Sequence, residues 1–240
     1  MALHELYNFV RGKHILVAFG DHKHLDQAAY LVSSFVIDNG AWRAFQQGGR
    51  LDVNKYYAFC YEWYRHPALD WFIIPDVIGG SEQENNELIR SWPAELPGAP
   101  VWHFGESLAK LEWLSRSYRV VCLAPNGTKE YATLGSPEYL RRIGEAMKVV
   151  CDELGRPRCK LHGLRMMNPD EYQFIPLSSA DSTNAVRNRN SHQRFGQYKP
   201  QQDGLRARQV ADRIEYYQSS PVWDEQSIKA LLAPTKSLPD

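Results

Sequence analysis

The stretch Ser34-Phe-Val-Ile-Asp-Asn-Gly40 shows the pattern from which the fold of this 240-residue chain can be predicted. A short, continuous apolar run ends abruptly in two polar residues and a glycine. An uninterrupted apolar strand, rather than one that alternates with polar residues, is typical of a parallel sheet covered on both faces. The polar residues then lie just beyond the carboxyl end of the strand, where α/β folds place their functional groups.

The same pattern recurs along the chain and predicts the fold class. Strands are predicted over His14–Phe19, Ser34–Ile37, Trp71–Ile74, Pro100–Trp102, Arg119–Leu123, Cys159–Leu161 and Gln173–Leu177. Amphipathic helices are predicted over Val53–Tyr64, Ser81–Ala94, Leu108–Ser115 and Pro137–Leu154, with a shorter one opening at Asn168. About seven repeats of strand, loop and helix indicate one α/β domain over residues 1–240. A (β/α)8 TIM-type barrel, complete or incomplete, fits this order best, and a doubly wound open sheet is the alternative.

Composition excludes several classes of protein. Lys plus Arg and Asp plus Glu each number 28, so the net charge is zero, and 43% of the residues are hydrophobic, as in soluble globular domains. No signal peptide is visible and no apolar stretch is long enough to cross a membrane, which predicts a cytoplasmic protein. The 4 cysteines are scattered, which predicts reduced thiols rather than a zinc site or disulfides. No glycine-rich nucleotide-binding loop follows a strand, so no cofactor is expected.

Polar side chains follow each predicted strand. In a barrel the carboxyl ends of all strands open on one face, so these side chains should converge there around a small flat ligand. They are Asp21, Asp38, Asp76, His103, Asn126, His162 and Asp181. Simpler interpretations stay open. Asp38-Asn39-Gly40 is also a common turn sequence, and Asp181 could be a helix N-cap without any catalytic role.

Six segments resemble, in order and spacing, motifs of the tRNA-guanine transglycosylase superfamily, which is built on a barrel. They are Ile37–Trp42, Ile74–Asp76, Val101–Gly105, Ala124–Gly127, His162–Leu164 and Ser179–Asn188. The first is similar to the family's Asp-Ser-Gly-Gly-Phe-Gln motif, and the last to the segment that holds its nucleophile. The C-x-C-x-x-C…His zinc site of the family's tRNA enzymes has no counterpart here. The chain therefore looks closest to the short, zinc-free branch that inserts 7-deazaguanines into DNA.

The resemblance implies a reaction and a set of roles. Guanine in DNA would be exchanged for a 7-deazaguanine such as preQ0 through a covalent bond between Asp181 and the sugar, with Asp38 as the acid and base. Asp76 would bind the pairing edge of the base, because one carboxylate can accept from both N1–H and the exocyclic amine. Further base contacts are expected from Asn39, Trp42, His103, Asn126, Gly127 and His162.

The segment 184–210 carries six basic residues and one acidic residue. Aromatic residues are interleaved with them, which is typical of a loop that contacts phosphates and stacks on bases. We expect nucleic-acid contacts from Arg187, Arg189, Arg194 and Lys199, with DNA the preferred partner and tRNA the other possibility. Residues 211–240 are predicted to belong to two closing helices, Arg206–Tyr217 and Asp224–Leu232.

Two other functions stay open on the sequence. Asp21-His22-Lys23-His24, together with His103, His162 and Asp181, resembles the ligand set of a metal-dependent amidohydrolase barrel. The chain could also be a catalytically inactive barrel that only binds nucleic acid.

Overall fold

The computed structural model of the protein describes residues 2–125, 130–131, 133–190, 199–224 and 226. The strands are His14–Ala18 (β1), Ser34–Asp38 (β2), Leu69–Ile73 (β3), Gly98–Ala99 (β4), Val101–His103 (β5), Val120–Ala124 (β6), Lys160–Gly163 (β7) and Ser179–Ala180 (β8). The helices are Leu3–Val10 (α1), Leu25–Ala28 (α2), Ala41–Gln46 (α3), Val53–Trp63 (α4), Glu82–Ser91 (α5), Leu108–Ser117 (α6), Pro137–Val150 (α7), Pro169–Tyr172 (α8), Asn184–Arg187 (α9) and Asp203–Glu215 (α10).

The strands form two four-stranded sheets, in the orders β1-β2-β3-β4 and β5-β6-β7-β8. Every described register is parallel, including those of β1 with β2 and of β6 with β7. The predicted α/β class is therefore confirmed, although a complete (β/α)8 barrel is not shown. The chain divides into two compact units, residues 1–101 with 181–216 and residues 102–180 with 217–240. The prediction of a single domain over residues 1–240 stays a prediction.

The first unit is built on the face of β2 and β3 that α4 covers. Phe35, Ile37 and Phe72 are fully buried and pack with Tyr56 and Cys60 of α4. That helix begins where the Asp52 side chain accepts a hydrogen bond from the backbone N–H of Lys55, which satisfies one of the free donors of its first turn. The continuous apolar runs that predicted these strands are thus explained by burial.

The segment 184–210 is not the continuous loop that was predicted. It contains α9 and the first half of α10, because α10 buries an apolar stripe that includes Ala207, Val210 and Ile214. Gly204 allows α10 to approach α1 closely, since a Cβ at Gly204 would lie 2.8 Å from the backbone oxygen of Glu5. The first closing helix, predicted over Arg206–Tyr217, is confirmed as α10. Most of the second, predicted over Asp224–Leu232, lies outside the described residues.

In the second unit β6 is buried along its whole length, as its run Val-Val-Cys-Leu-Ala predicts. Helix α7 begins at the cap Ser136, whose hydroxyl accepts from the N–H of Tyr139, and buries Tyr139, Ile143 and Met147. It ends at Val150, four residues before the predicted end, because the chain turns back there. The N–H of Arg158 donates to the backbone oxygen of Val150 at 2.9 Å.

The strand predicted over Gln173–Leu177 is wrong. These residues follow α8 as turns, in which the N–H of Phe174 donates to Glu171 and that of Ile175 to Tyr172. The strand itself is only Ser179–Ala180. A buried apolar run can be a turn as easily as a strand, because burial alone does not fix the backbone conformation. None of the helices in the described ranges has the length and apolar character that crossing a membrane requires.

A glycine anchors the carboxyl-terminal segment of the second unit. Gly155 has a φ of +74°, and a Cβ there would lie 2.0 Å from the backbone oxygen of Trp223. The N–H of Trp223 donates to the oxygen of Gly155 at 2.7 Å. Only glycine combines this left-handed conformation with so close an approach.

We expect Gly155→Ala to lower the free energy of unfolding by about 2 kcal/mol or more, because it adds a backbone collision to the strain of a positive φ. Chemical denaturation measures the loss. Gly12→Ala is the matched control, since Gly12 has a φ of +70° and open space around it. Equal losses in the two variants would contradict the proposed contact.

Candidate active site

The turn after β2 holds the carboxylate of Asp38. Gly40 has a φ of +77°, and a Cβ there would lie 2.6 Å from the backbone oxygen of Phe19. This left-handed turn lets the backbone N–H groups of Gly40 and Asn39 donate to the Asp38 carboxylate. The motif that resembles a family signature therefore has a local structural reason for its glycine.

Asn39 is buried and connects the loops that follow β2 and β3. Its amide nitrogen donates to the backbone oxygen of Ile74 at 2.9 Å and to a carboxylate oxygen of Asp76 at 2.7 Å. Its amide oxygen accepts from the N–H of Ala41 at 2.7 Å. The sequence predicted a base contact for Asn39, but both of its amide hydrogens are used within the protein. The structure thus gives Asn39 a supporting role, which is to hold Asp76.

We expect Asn39→Ala to lower the free energy of unfolding by about 2–4 kcal/mol. The change leaves buried partners of three hydrogen bonds unsatisfied, one of them a carboxylate. Urea denaturation measures the loss, and Asn54→Ala, on the exposed side of α4, is the matched control. A loss as small as that of the control would show that Asn39 does not hold the two loops together.

The buried hydroxyl of Tyr56, on α4, contacts the ends of both β2 and β3. The Tyr56 hydroxyl donates to the backbone oxygen of Ile73 at 2.8 Å and also lies 3.3 Å from that of Ile37. Burial, together with the nearby groups Cys60, Asp38 and Asp76, raises the pKa of Tyr56 well above its ordinary value. The hydroxyl therefore stays protonated and remains a donor, which ties the end of β2 to the end of β3.

Asp76 is almost fully buried near the start of the loop that follows β3. Besides its contact with Asn39, its position is fixed by the next residue: the N–H of Val77 donates to the side-chain oxygen of Asn85 at 2.8 Å. Asn85 is buried and lies on α5. Sequence reasoning missed Asn39, Tyr56 and Asn85 as supports. For Tyr56 and Asn85, the signal in the sequence was a polar group at a helix position whose spacing predicts burial.

Two carboxylates of the first unit, those of Asp76 and Asp181, act on the carboxylate of Asp38. Burial, together with the negative charges of Asp76 and Asp181, raises the pKa of Asp38 to about 7 against the lowering effect of its two N–H donors. Like charges in a poorly solvated place favour the protonated form of one of them. Asp38 can therefore both give and take a proton near neutral pH. Asp76 and Asp181 thus lie close enough to Asp38 for their charges to act on it, while the convergence of all the predicted side chains on one ligand stays a prediction.

Trp42 lies in the first turn of α3, four residues after Asp38, and is partly exposed. Its ring centroid is 5.9 Å from that of Phe45. A base contact from Trp42 stays a prediction.

The two predicted histidines lie in the second unit and are both buried. His103 ends β5, and its backbone N–H donates to a carboxylate oxygen of Glu106 at 3.0 Å. His162 lies in β7, and its Nδ1 is 2.8 Å from the Ser179 hydroxyl. The contact with Ser179 orients the ring of His162, whereas that with Glu106 holds the backbone of His103. The roles predicted for the two histidines in base recognition stay predictions. Asn126 and Gly127, predicted for the same purpose, lie outside the described residues.

The basic segment is partly used for internal contacts. Arg189 is about one-fifth exposed and pairs with Asp203 at 3.0 Å, and Arg206 pairs with the same carboxylate. The guanidinium of Arg189 thus holds α9 to α10, and nucleic-acid binding by Arg189 stays a prediction. Arg187 is exposed. Lys199 is partly exposed and its ammonium donates to the backbone oxygen of Asn190 at 3.3 Å. Arg194 lies outside the described residues.

The residues after β1 do not join the three aspartates. Asp21 forms an ion pair with Arg43. His22 accepts from the N–H of Gly20 at 3.0 Å, and its ring packs 4.3 Å from that of Phe59. Within the described ranges, no three His, Cys, Asp or Glu side chains are grouped so that they could hold a metal ion. The ligand set suggested for an amidohydrolase is therefore not assembled by these residues.

Comparison of the chain with protein-family models, with curated proteins and with solved structures gave no match.

Proposed function

We propose that the protein is a transglycosylase that exchanges guanine in DNA for a 7-deazaguanine base such as preQ0, through a covalent Asp-sugar intermediate. The observation that carries the proposal is the cluster of Asp38, Asp76 and Asp181, in which the pKa of Asp38 is raised to about 7. The order of strands and helices supports the (β/α)8 TIM-type barrel as the scaffold, since barrel enzymes collect such groups at strand ends.

Asp181 is the proposed nucleophile. A carboxylate oxygen attacks C1′ of the target nucleotide, the bond from C1′ to N9 of guanine breaks, and its electron pair goes to the departing base. The sugar is then held as an ester on Asp181, as in a retaining glycosidase. The side chain of Asp181 is partly exposed, so a sugar can reach it. Attack by the incoming base from the other face breaks the ester and restores the original configuration.

Asp38 is the proposed acid and base. In its protonated form it gives a proton to the leaving guanine, and as a carboxylate it later takes one from N9 of the incoming base. A group serves both steps best when its pKa is close to the working pH. Burial and the two neighbouring carboxylates place the pKa of Asp38 at about 7, so both forms are populated near neutral pH.

Asp76 is the proposed recognition group. Its carboxylate can accept from N1–H and the exocyclic amine of a guanine-like ring. Asn39 donates to one of its oxygens and the Asn39 amide is itself bonded to Ile74 and Ala41, so the carboxylate is held in one orientation. A base that lacks the two donors would leave this nearly buried carboxylate poorly satisfied, which favours guanine and 7-deazaguanines.

DNA is the proposed nucleic-acid partner, and tRNA is the other possibility. Duplex DNA would have to expose C1′ by turning the nucleotide out of the stack, which costs a few kcal/mol. Arg187 and Lys199 remain the described candidates for contacts to phosphates. No cofactor takes part in the proposed reaction.

The test is incorporation of labelled guanine by the purified full-length chain into duplex DNA and into unmodified tRNA, measured side by side. Asp181→Ala is the blank, and Asp26→Asn, an exposed carboxylate on α2, is the matched control. Label in DNA that depends on Asp181 supports the proposal. Label in tRNA alone keeps the chemistry and overturns the substrate. No label in either polymer overturns the proposed function.

A further inference from the structure

A cavity of about 520 Å³ lies in the second unit, at the amino-terminal ends of β6 and β7. Arg119 immediately precedes β6 and Lys160 begins β7. The N–H of Lys160 donates to the backbone oxygen of Arg119 at 2.9 Å, so the two basic residues lie side by side. The N–H of Ser178 donates to the backbone oxygen of Leu161 at 2.8 Å, which brings the residue before β8 to the same edge. We call this cavity the basic pocket.

The lining of the basic pocket has the chemistry of an anion site. It contains the basic residues Arg119, Arg158 and Lys160, and no acidic residue lines it among those that the structure describes. All three basic residues are exposed, and within the described part of the chain none of them forms an ion pair. Serine hydroxyls, including those of Ser178 and Ser219, complete the polar lining. Three positive charges that share one cavity repel one another, and a bound anion would relieve that repulsion.

The wall of the basic pocket is formed in advance. Ser219, Ser220 and Pro221 line it, and the chain is anchored two residues later where Trp223 docks on Gly155. The N–H of Val222 donates to the Ser220 hydroxyl at 3.3 Å, which fixes the turn between the wall and the anchor. A pocket whose wall is already in place loses less entropy when a ligand binds.

We propose that the basic pocket binds a phosphate group, independently of the carboxylate cluster. Guanidinium groups bind phosphate oxygens through paired, charge-assisted hydrogen bonds, and an ammonium group adds a compact charge. Two arginines, a lysine and serine hydroxyls match the several oxygens and the double charge of a phosphate better than those of a carboxylate. The cavity volume of about 520 Å³ leaves space for the molecule that carries the group, as in ordinary ligand pockets. The carrier is either a phosphorylated small molecule or a nucleic-acid backbone.

Titration calorimetry on the full-length chain, in a phosphate-free buffer of low ionic strength, tests this proposal. The probes are inorganic phosphate, adenosine 5′-monophosphate, adenosine and a single-stranded DNA of about twelve nucleotides. We expect a phosphate-bearing probe to bind and adenosine not to bind. Arg119→Gln and Lys160→Gln should each weaken that binding at least about tenfold. Lys148→Gln, an exposed lysine on α7, should leave it unchanged.

The probes distinguish the carriers. Binding of adenosine 5′-monophosphate or inorganic phosphate that depends on Arg119 and Lys160 supports the site with a small molecule as carrier. If the oligonucleotide is the only probe that binds, and its binding depends on Arg119 and Lys160, the site is supported with a nucleic-acid backbone as the carrier. The proposal is overturned if no phosphate-bearing probe binds, if adenosine binds as well, or if Lys148→Gln weakens binding as much as the pocket variants do.

Discussion

Asp38→Asn is expected to stabilise the folded protein at pH 8 by about 2–4 kcal/mol. Burial, Asp76 and Asp181 raise the pKa of Asp38 from the ordinary 3.8 to about 7, and each pKa unit corresponds to about 1.4 kcal/mol. Between these two values the folded protein keeps a proton that the unfolded chain loses, so the free energy of unfolding falls as the pH rises from about 4 to about 7. Asparagine keeps an oxygen for the N–H donors and removes the charge.

Urea denaturation at pH 4 and at pH 8 measures this effect. The wild-type protein should lose the contribution of Asp38 as the pH rises, whereas Asp38→Asn should lack that part of the dependence. The two proteins should therefore differ little at pH 4 and most at pH 8. Asp26→Asn is the matched control, and its stability should follow the wild-type curve. A curve for Asp38→Asn that runs parallel to the wild-type curve would show that the pKa of Asp38 is not raised.

Asp181→Ala should reduce base exchange by at least about a thousandfold, because the proposed covalent intermediate cannot form without the carboxylate. The same variant should lower the pKa of Asp38, since Asp181 is one of the charges that raise it. In denaturation experiments, the pH-dependent loss of stability should then end at a lower pH. The two effects are measured independently, one by the exchange assay and one by the pH series.

The exchange assay and the pH series of Asp181→Ala test two separate roles of Asp181. Exchange within about tenfold of wild type in Asp181→Ala would remove Asp181 from the nucleophile role. An unchanged pH series would show that Asp181 does not act on Asp38. Asp181→Asn should abolish exchange as well, because an amide oxygen is a poor nucleophile, and it keeps the shape of the side chain as a check on folding.

The fold class and most elements could be predicted from the sequence because parallel strands leave a strong signal. Runs such as Val120–Ala124 are apolar throughout, since both faces are covered, and caps such as Ser136 begin helices as their side chains predict. The strand predicted over Gln173–Leu177 was wrong because an apolar run does not by itself distinguish a strand from buried turns. Ile175 and Leu177 are buried, so their apolar character reports burial, while the backbone forms turns that periodicity does not reveal.

The three aspartates of the candidate site could be predicted because each follows a strand. The residues that hold these aspartates in place could not be predicted, because their hydrogen-bond partners are distant in the chain. Asn39 donates to Asp76, and the Tyr56 hydroxyl donates to the backbone oxygen of Ile73. The internal ion pair of Arg189 was missed for the same reason. Its charge suggested a contact with nucleic acid, and its partner Asp203 lies fourteen residues further along the chain.

The covalent intermediate offers the most direct test of the proposed function. The purified chain is incubated with guanine-containing DNA without an incoming 7-deazaguanine, quenched in acid, digested and examined by mass spectrometry. We expect a DNA adduct on the peptide that carries Asp181, absent from Asp181→Ala and lost when preQ0 is added before the quench. An adduct on another residue, or exchange activity without any adduct, would contradict the proposed function.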